Sequence, residues 1–183
     1  MTLEDLYNTG KYLTDKGEEH SYISHYYSKE FSNRYDKIKI MEIGMGHFGG
    51  SIDLWLDWFV NGEVVLIEND QNLVNKYKSK NSHISRLKII HADAYDEKTL
   101  NMFEDDTFDW IIDDGPHTIE SQIFSIKKWV SKLKVNGKLI IEDVLHDYWV
   151  NEFNEVNKYP YKCFDLKNIK NRFDDYIYET TKI

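Results

Sequence analysis

The sequence predicts an α/β fold with a doubly wound, mostly parallel sheet and an antiparallel hairpin at the C-terminal edge. Three observations predict it. Short apolar runs alternate with amphipathic stretches of helical period. The first run leads directly into a glycine-rich turn. The last two runs lie too close together for a parallel crossover.

The five central runs are Ile38 to Ile43, Val64 to Ile67, Leu87 to Ile90, Phe108 to Ile112 and Lys138 to Ile141. Their near-continuous apolarity suits strands covered on both faces. Helices are expected between them at Ser51 to Val60, Gln71 to Lys80, Glu97 to Met102 and Thr118 to Leu133. A further helix near Tyr148 to Val156 leads to two runs, Lys162 to Leu166 and Tyr176 to Thr181, separated by roughly nine residues. Ahead of the sheet, Thr2 and Asp5 have the spacing of a capping box. Tyr22, Ile23, Tyr26, Tyr27 and Phe31 recur as an aromatic helical face, expected to pack on the core rather than meet a substrate. One domain over 1–183 is expected, with a helical segment at 1–36 and the sheet-bearing core at 37–183.

Composition narrows the partners. A net charge of −9 argues against nucleic acid, which requires a basic groove to release counterions. No apolar run approaches the ~18 residues of a membrane span, and no signal peptide is evident, so a cytoplasmic protein is expected. The lone cysteine, Cys163, lies in an apolar stretch and reads as a small buried residue, not a nucleophile.

The first strand ends in Glu42-Ile43-Gly44-Met45-Gly46-His47-Phe48-Gly49, a G-x-G-x-x-G turn between strand and helix. Glu68, about twenty residues on at the end of the second strand, is placed to accept ribose hydroxyls. The turn contains no Arg or Lys and no P-loop lysine. Glu42 beside it would repel a phosphate and suit a cation, and Asp93 after the third strand can accept from an adenine amino group. An acidic rim of this kind favours S-adenosylmethionine, a sulfonium without phosphate, over a dinucleotide. His47, next to the glycines, is able to reach a cofactor, with a solvated loop histidine as the equal alternative. Gly44, Gly46, Glu42, Glu68, Asp93 and Asp113 are therefore the expected cofactor-binding residues.

Strand four ends in Asp113-Asp114-Gly115-Pro116-His117 and strand five in Glu142-Asp143. Ligands of open α/β sheets bind beyond such carboxyl ends. Converging carboxylates need a cation, and Mg²⁺ or Mn²⁺ takes oxygen ligands. His117 is suited to act as a general base. The competing reading makes these acids helix caps and surface groups.

Together with Thr14-Asp15-Lys16-Gly17 and His20-Ser21-Tyr22, these motifs resemble the metal-dependent sugar O-methyltransferases of macrolide biosynthesis, mycinamicin and macrocin type, with cephalosporin hydroxylase-like relatives. The resemblance spans about residues 11 to 150. It implies a Rossmann-like class I methyltransferase in which Asp114, Glu142 and Asp143 bind Mg²⁺ (or Mn²⁺). It further implies that His117 deprotonates a hydroxyl of a small, sugar-like acceptor. Pro116 stands where that family usually has Ser, and Glu68 where it usually has Asp. Lys16, Tyr22, His146 and Tyr148 are the candidate acceptor contacts. A homo-oligomer is compatible with the sequence. The rival readings are an NAD-dependent oxidoreductase and a non-catalytic cofactor-binding subunit of the same fold.

Overall fold

A computed structural model describes residues 1–46 and 49–183, so His47 and Phe48, with the expectation attached to His47, lie outside the described residues. The sheet has seven strands: β1 (Lys39–Ile43), β2 (Glu63–Glu68), β3 (Leu87–His91), β4 (Phe108–Asp113), β5 (Leu133–Ile141), β6 (Tyr161–Asp165) and β7 (Tyr176–Thr181). Their order is β3-β2-β1-β4-β5-β7-β6. The first five run parallel, while β7 is antiparallel to both β5 and β6. Strand order reverses between β1 and β4, which makes their carboxyl ends the crevice where such sheets bind ligands.

Before the sheet stand α1 (Leu3–Tyr7), α2 (Asp15–Glu18), a π-helical turn (Ile23–Tyr27) and α3 (Ser28–Glu30). Thr2 and Asp5 form the expected capping box. The crossovers are α4 (Gly50–Trp58), α5 (Gln71–Asn81), α6 (Glu97–Leu100) and α7 (Ile119–Lys128). The last of these tightens into a 3₁₀ turn at Trp129–Lys132, and β5 begins there, five residues before the expected strand. Then come α8 (Trp149–Val156) and, between β6 and β7, the short α9 (Lys167–Lys170).

Apolar side chains fill both faces of the sheet. On one face Ile40, Val64, Leu66, Ile112 and Ile140 pack with α4 and the N-terminal aromatics. On the other, Met41, Val65, Ile111, Leu139 and Ile141 pack against Trp129, Trp149 and Phe153. Tyr22, Ile23, Tyr26, Tyr27 and Phe31 are all buried, so the aromatic face packs on the core as expected. Its backbone is π-helical where an ordinary α-helix was expected, and such wide turns recur at functional sites. Cys163 corrects the sequence reading: it is exposed, because β6 is the edge strand and most of its residues meet solvent.

Candidate active site

The glycine turn is built for close approach. Gly44 has φ +86°, and a Cβ there would lie 2.2 Å from the Asp114 carbonyl oxygen. Glycine alone fits this crossing of the loops after β1 and β4. Glu68, at the end of β2, holds the turn by accepting from the Met45 N–H at 3.1 Å and from the Asp70 N–H at 2.8 Å.

A cavity of about 350 Å³ opens at these strand ends, lined by Gly44, Gly46, Glu68, Asp93, Asp114 and His117 among others. A second cavity of about 210 Å³ adjoins it under the 13–19 segment and shares Asp15, Met45, Gly46 and Asp114 with the first. Four of the six expected cofactor residues, Gly44, Gly46, Glu68 and Asp93, thus line one space with Asp114 and His117.

The other two do not. Glu42 is fully buried, and its carboxylate accepts from Ser51 Oγ at 2.6 Å and from the Trp55 indole N–H. Ser51 and Trp55 stand four apart on α4, so they share one helix face and turn Glu42 away from the cavity. Asp113 accepts from Tyr95 Oη and Ser125 Oγ, each at 2.6 Å, and from the Gly115 N–H at 3.2 Å. It shapes the loop that carries Asp114 and lines neither cavity.

Among the acids sits a side chain whose part the sequence reading missed. Lys16, 1% exposed, places its ammonium 2.7 Å from Asp114 Oδ2, 3.6 Å from Glu42 Oε1 and in direct contact with Glu142. Burial alone would lower its pKa, but the carboxylates of Asp114, Glu142 and Glu42 hold it well above the usual lysine value. Lys16 is therefore an internal counter-ion and not an acceptor contact. Tyr22 is likewise interior, donating to Asp143 Oδ1 at 2.6 Å. By contrast Tyr148 is exposed, with His146 stacked on it at 5.1 Å.

Lys16 also changes the place of Glu142. One of its oxygens meets Lys16, and the other accepts from Tyr27 Oη at 2.5 Å. Glu142 is thus occupied behind the acid group. The donors that do converge are Asp114, His117 and Asp143, with ligand atoms all within 4.8 Å of one another. His117 Nε2 is 3.8 Å from Asp114 Oδ1 and 3.5 Å from Asp143 Oδ2. Both His117 and Asp143 have φ +52°, a left-handed conformation that costs a non-glycine residue roughly 1–2 kcal/mol. Strain of this kind gathers at functional sites.

The charge balance fits a cation. Glu42, Asp114 and Glu142 face one ammonium, and the Asp143 carboxylate adds its charge close enough to raise the Glu142 pKa. Burial pushes the pKa values of Glu142, Glu42 and Asp143 upward; Lys16 lowers the first two, and Asp114 raises all three. The residual negative charge calls for a proton or a hard divalent cation, and Asp114 and Asp143 supply oxygen donors at the cavity wall.

Comparisons with known proteins agree with this fold. The family model of the TrkA-N domain matches residues 40–146, from β1 to the loop after β5. The demethylmacrocin O-methyltransferase of Streptomyces fradiae is 26% identical over 152 residues, covering 77% of this chain and 36% of that protein. The structure of the MycE methyltransferase of the mycinamycin pathway, in complex with Mg, SAH and mycinamycin VI, matches with a TM-score of 0.65 at 25% identity. The match covers 82% of this chain and 39% of that one. A SAM-dependent methyltransferase from Aquifex aeolicus shares the fold alone, with a TM-score of 0.63 at 12% identity over 99% of this chain and 97% of its own. This chain spans well under half the length of the two macrolide-pathway relatives. It belongs to the TrkA-N domain family and has a class I methyltransferase fold resembling that of the macrolide O-methyltransferases.

Proposed function

We propose that this protein is an S-adenosylmethionine-dependent methyltransferase acting on a hydroxyl of a sugar-like or other small polar acceptor. The observation that carries the reading is one cavity joining the glycine turn, Glu68 and Asp93 to Asp114 and His117. Glu68 would accept from the ribose hydroxyls with the lone pairs left free by its two backbone contacts. Asp93 would accept from the adenine amino group, and the phosphate-free acidic wall suits a sulfonium.

S-adenosylmethionine supplies the methyl group on a sulfonium, and a bound Mg²⁺ or Mn²⁺ would lower the pKa of a coordinated hydroxyl. Asp114 and Asp143 would hold that cation, while Glu142 and Lys16 keep the acid group in shape behind them. His117 takes the hydroxyl proton at Nε2, the nitrogen facing Asp114 and Asp143. In-line attack also requires that the acceptor be held still, and the strained backbones of His117 and Asp143 fix their side chains before it binds. Among the described residues no helix is long and apolar enough to cross a membrane.

Thermal shift with separate ligands tests the proposal, because a ligand that binds the folded state raises the melting temperature by mass action. S-adenosylhomocysteine is expected to stabilise and NADH to leave the transition unmoved. Stabilisation by NADH alone would favour an oxidoreductase instead.

Glu68→Ala gives a finer check. Loss of the ribose contacts is expected to cost about 1.5–3 kcal/mol, ten- to a hundredfold in S-adenosylhomocysteine affinity by calorimetry. The turn loses its anchor on the Met45 N–H as well, which places the outcome toward the upper end. Unchanged affinity would move the ribose site elsewhere.

A further inference from the structure

A second imidazole lies behind the reaction centre. His20, 3% exposed, follows α2, and its ring stacks on Tyr22 with centroids 4.7 Å apart and planes 18° from parallel. Its Nδ1 has no hydrogen-bond partner among the described residues, yet it sits 3.5 Å from Asp143 Oδ1 and 3.7 Å from Asp175 Oδ1. Asp175 is fully buried; its Oδ2 accepts from Ser21 Oγ at 2.6 Å, while its Oδ1 is also without a partner among the described residues. A buried imidazole nitrogen between two carboxylates is too costly to be incidental, since an unpaired buried polar group loses its hydration without compensation.

The two oxygens of Asp143 have different neighbours. Oδ1 faces His20 and the Tyr22 hydroxyl, whereas Oδ2 faces His117. Turning this carboxylate would move Oδ2 away from His117 and from the position proposed for the cation. Contacts of this kind are often loose without ligand and tighten when the site is filled.

We propose that His20 is a positioning residue: with Tyr22 it fixes the Asp143 carboxylate so that Oδ2 faces His117 and the cation position, and Asp175 fixes His20. The inference rests on the proposed function only in taking Asp143 as a cation ligand. His20, Asp143 and Asp174 could themselves surround a metal. The Asp174 carboxylate, however, is taken by the Arg172 guanidinium at 3.1 and 2.9 Å, which favours the positioning role.

The experiment uses Mn²⁺ alone as the probe, titrated against the full chain and followed by electron paramagnetic resonance, with three variants. In His20→Asn the amide nitrogen stands near the Nδ1 position and can still donate to Asp143. In His20→Gln the amide nitrogen stands nearer Nε2 and cannot. His20→Ala removes the donor altogether. Orienting partners of metal ligands are worth about 10–100-fold in affinity, so His20→Ala and His20→Gln are expected to weaken Mn²⁺ by that factor. His20→Asn is expected to stay within about threefold of the wild type, and S-adenosylhomocysteine affinity to hold in all three. Because Asn and Gln are both polar amides, comparing them keeps the test valid if the Ala variant does not fold. Equal affinities for Asn and Gln overturn the proposal. So does a second Mn²⁺ equivalent in the wild type that His20→Asn abolishes, which would make His20 a ligand. Wild type that binds S-adenosylhomocysteine but no Mn²⁺ overturns it too, while leaving the cofactor reading intact. Wild type that binds Mn²⁺ but no S-adenosylhomocysteine overturns the methyltransferase reading and leaves the His20 comparison standing.

Discussion

His117→Ala is expected to lower methyl transfer by roughly 10²- to 10⁴-fold, the usual contribution of a positioned general base. Cofactor binding should survive, because Glu68, Asp93 and the glycine turn stand on other loops of the cavity. Excess EDTA should abolish turnover in the wild type, and Mn²⁺ or Mg²⁺ should restore it. The assay follows formation of S-adenosylhomocysteine with sugar diols and catechols as acceptors. Two outcomes contradict the scheme. Full activity in EDTA would remove the cation, and a His117→Ala enzyme of normal rate would remove the base. A third result, a lowered melting temperature with no metal dependence in Asp114→Ala, would return these acids to the role of loop and helix caps.

The largest effect on stability is expected at Lys16. Lys16→Met keeps the apolar stem but strips the ammonium from Glu42, Asp114 and Glu142. Removing one partner of a buried ion group leaves uncompensated charge, typically at a cost of about 3–5 kcal/mol. The sign with pH follows from the carboxylates. Glu42 and Glu142 have pKa values raised by burial, so the folded state binds protons more tightly than the unfolded chain. Their contribution is most favourable in acid and is lost as pH rises through the raised values. Without Lys16 that loss deepens, so the deficit of the variant should be larger at pH 8 than at pH 5. Urea unfolding at the two pH values measures it. A deficit independent of pH would point to lost packing instead of stranded charge.

Much of this was legible in the chain itself, and what was not has a common cause. The strands, the edge hairpin and the turn at Gly44 follow from local pattern: apolar runs, helical period and glycine spacing. Glu68, Asp93, Asp114 and His117 were findable because a parallel sheet places the ends of its strands on one rim. The insertion of Lys16 beside Asp114 and Glu142 joins residues 98 and 126 positions apart, and no local rule encodes such a pairing. The Tyr27 hydroxyl on Glu142 crosses 115 positions and was equally hidden. Glu42 is the instructive case. Its turn away from the cavity depends on Ser51 and Trp55, whose four-residue spacing was readable as one helix face. A buried glutamate opposite a serine and an indole is already satisfied, and that signal outweighed its position beside the glycines.

The contact at Gly44 ties together two features that would otherwise have separate histories. Its α-carbon lies against the carbonyl of Asp114, while the Asp114 N–H donates to Ile43 and the Gly44 N–H to Ile67. The turn proposed to cradle the cofactor and the loop that bears the acids therefore share a single spacer, one hydrogen atom wide. A lineage that exchanged its cofactor by rebuilding the glycine turn would have to shift the acid loop in the same step. The backbones of the glycine turn and of the acid loop can therefore be rebuilt only together.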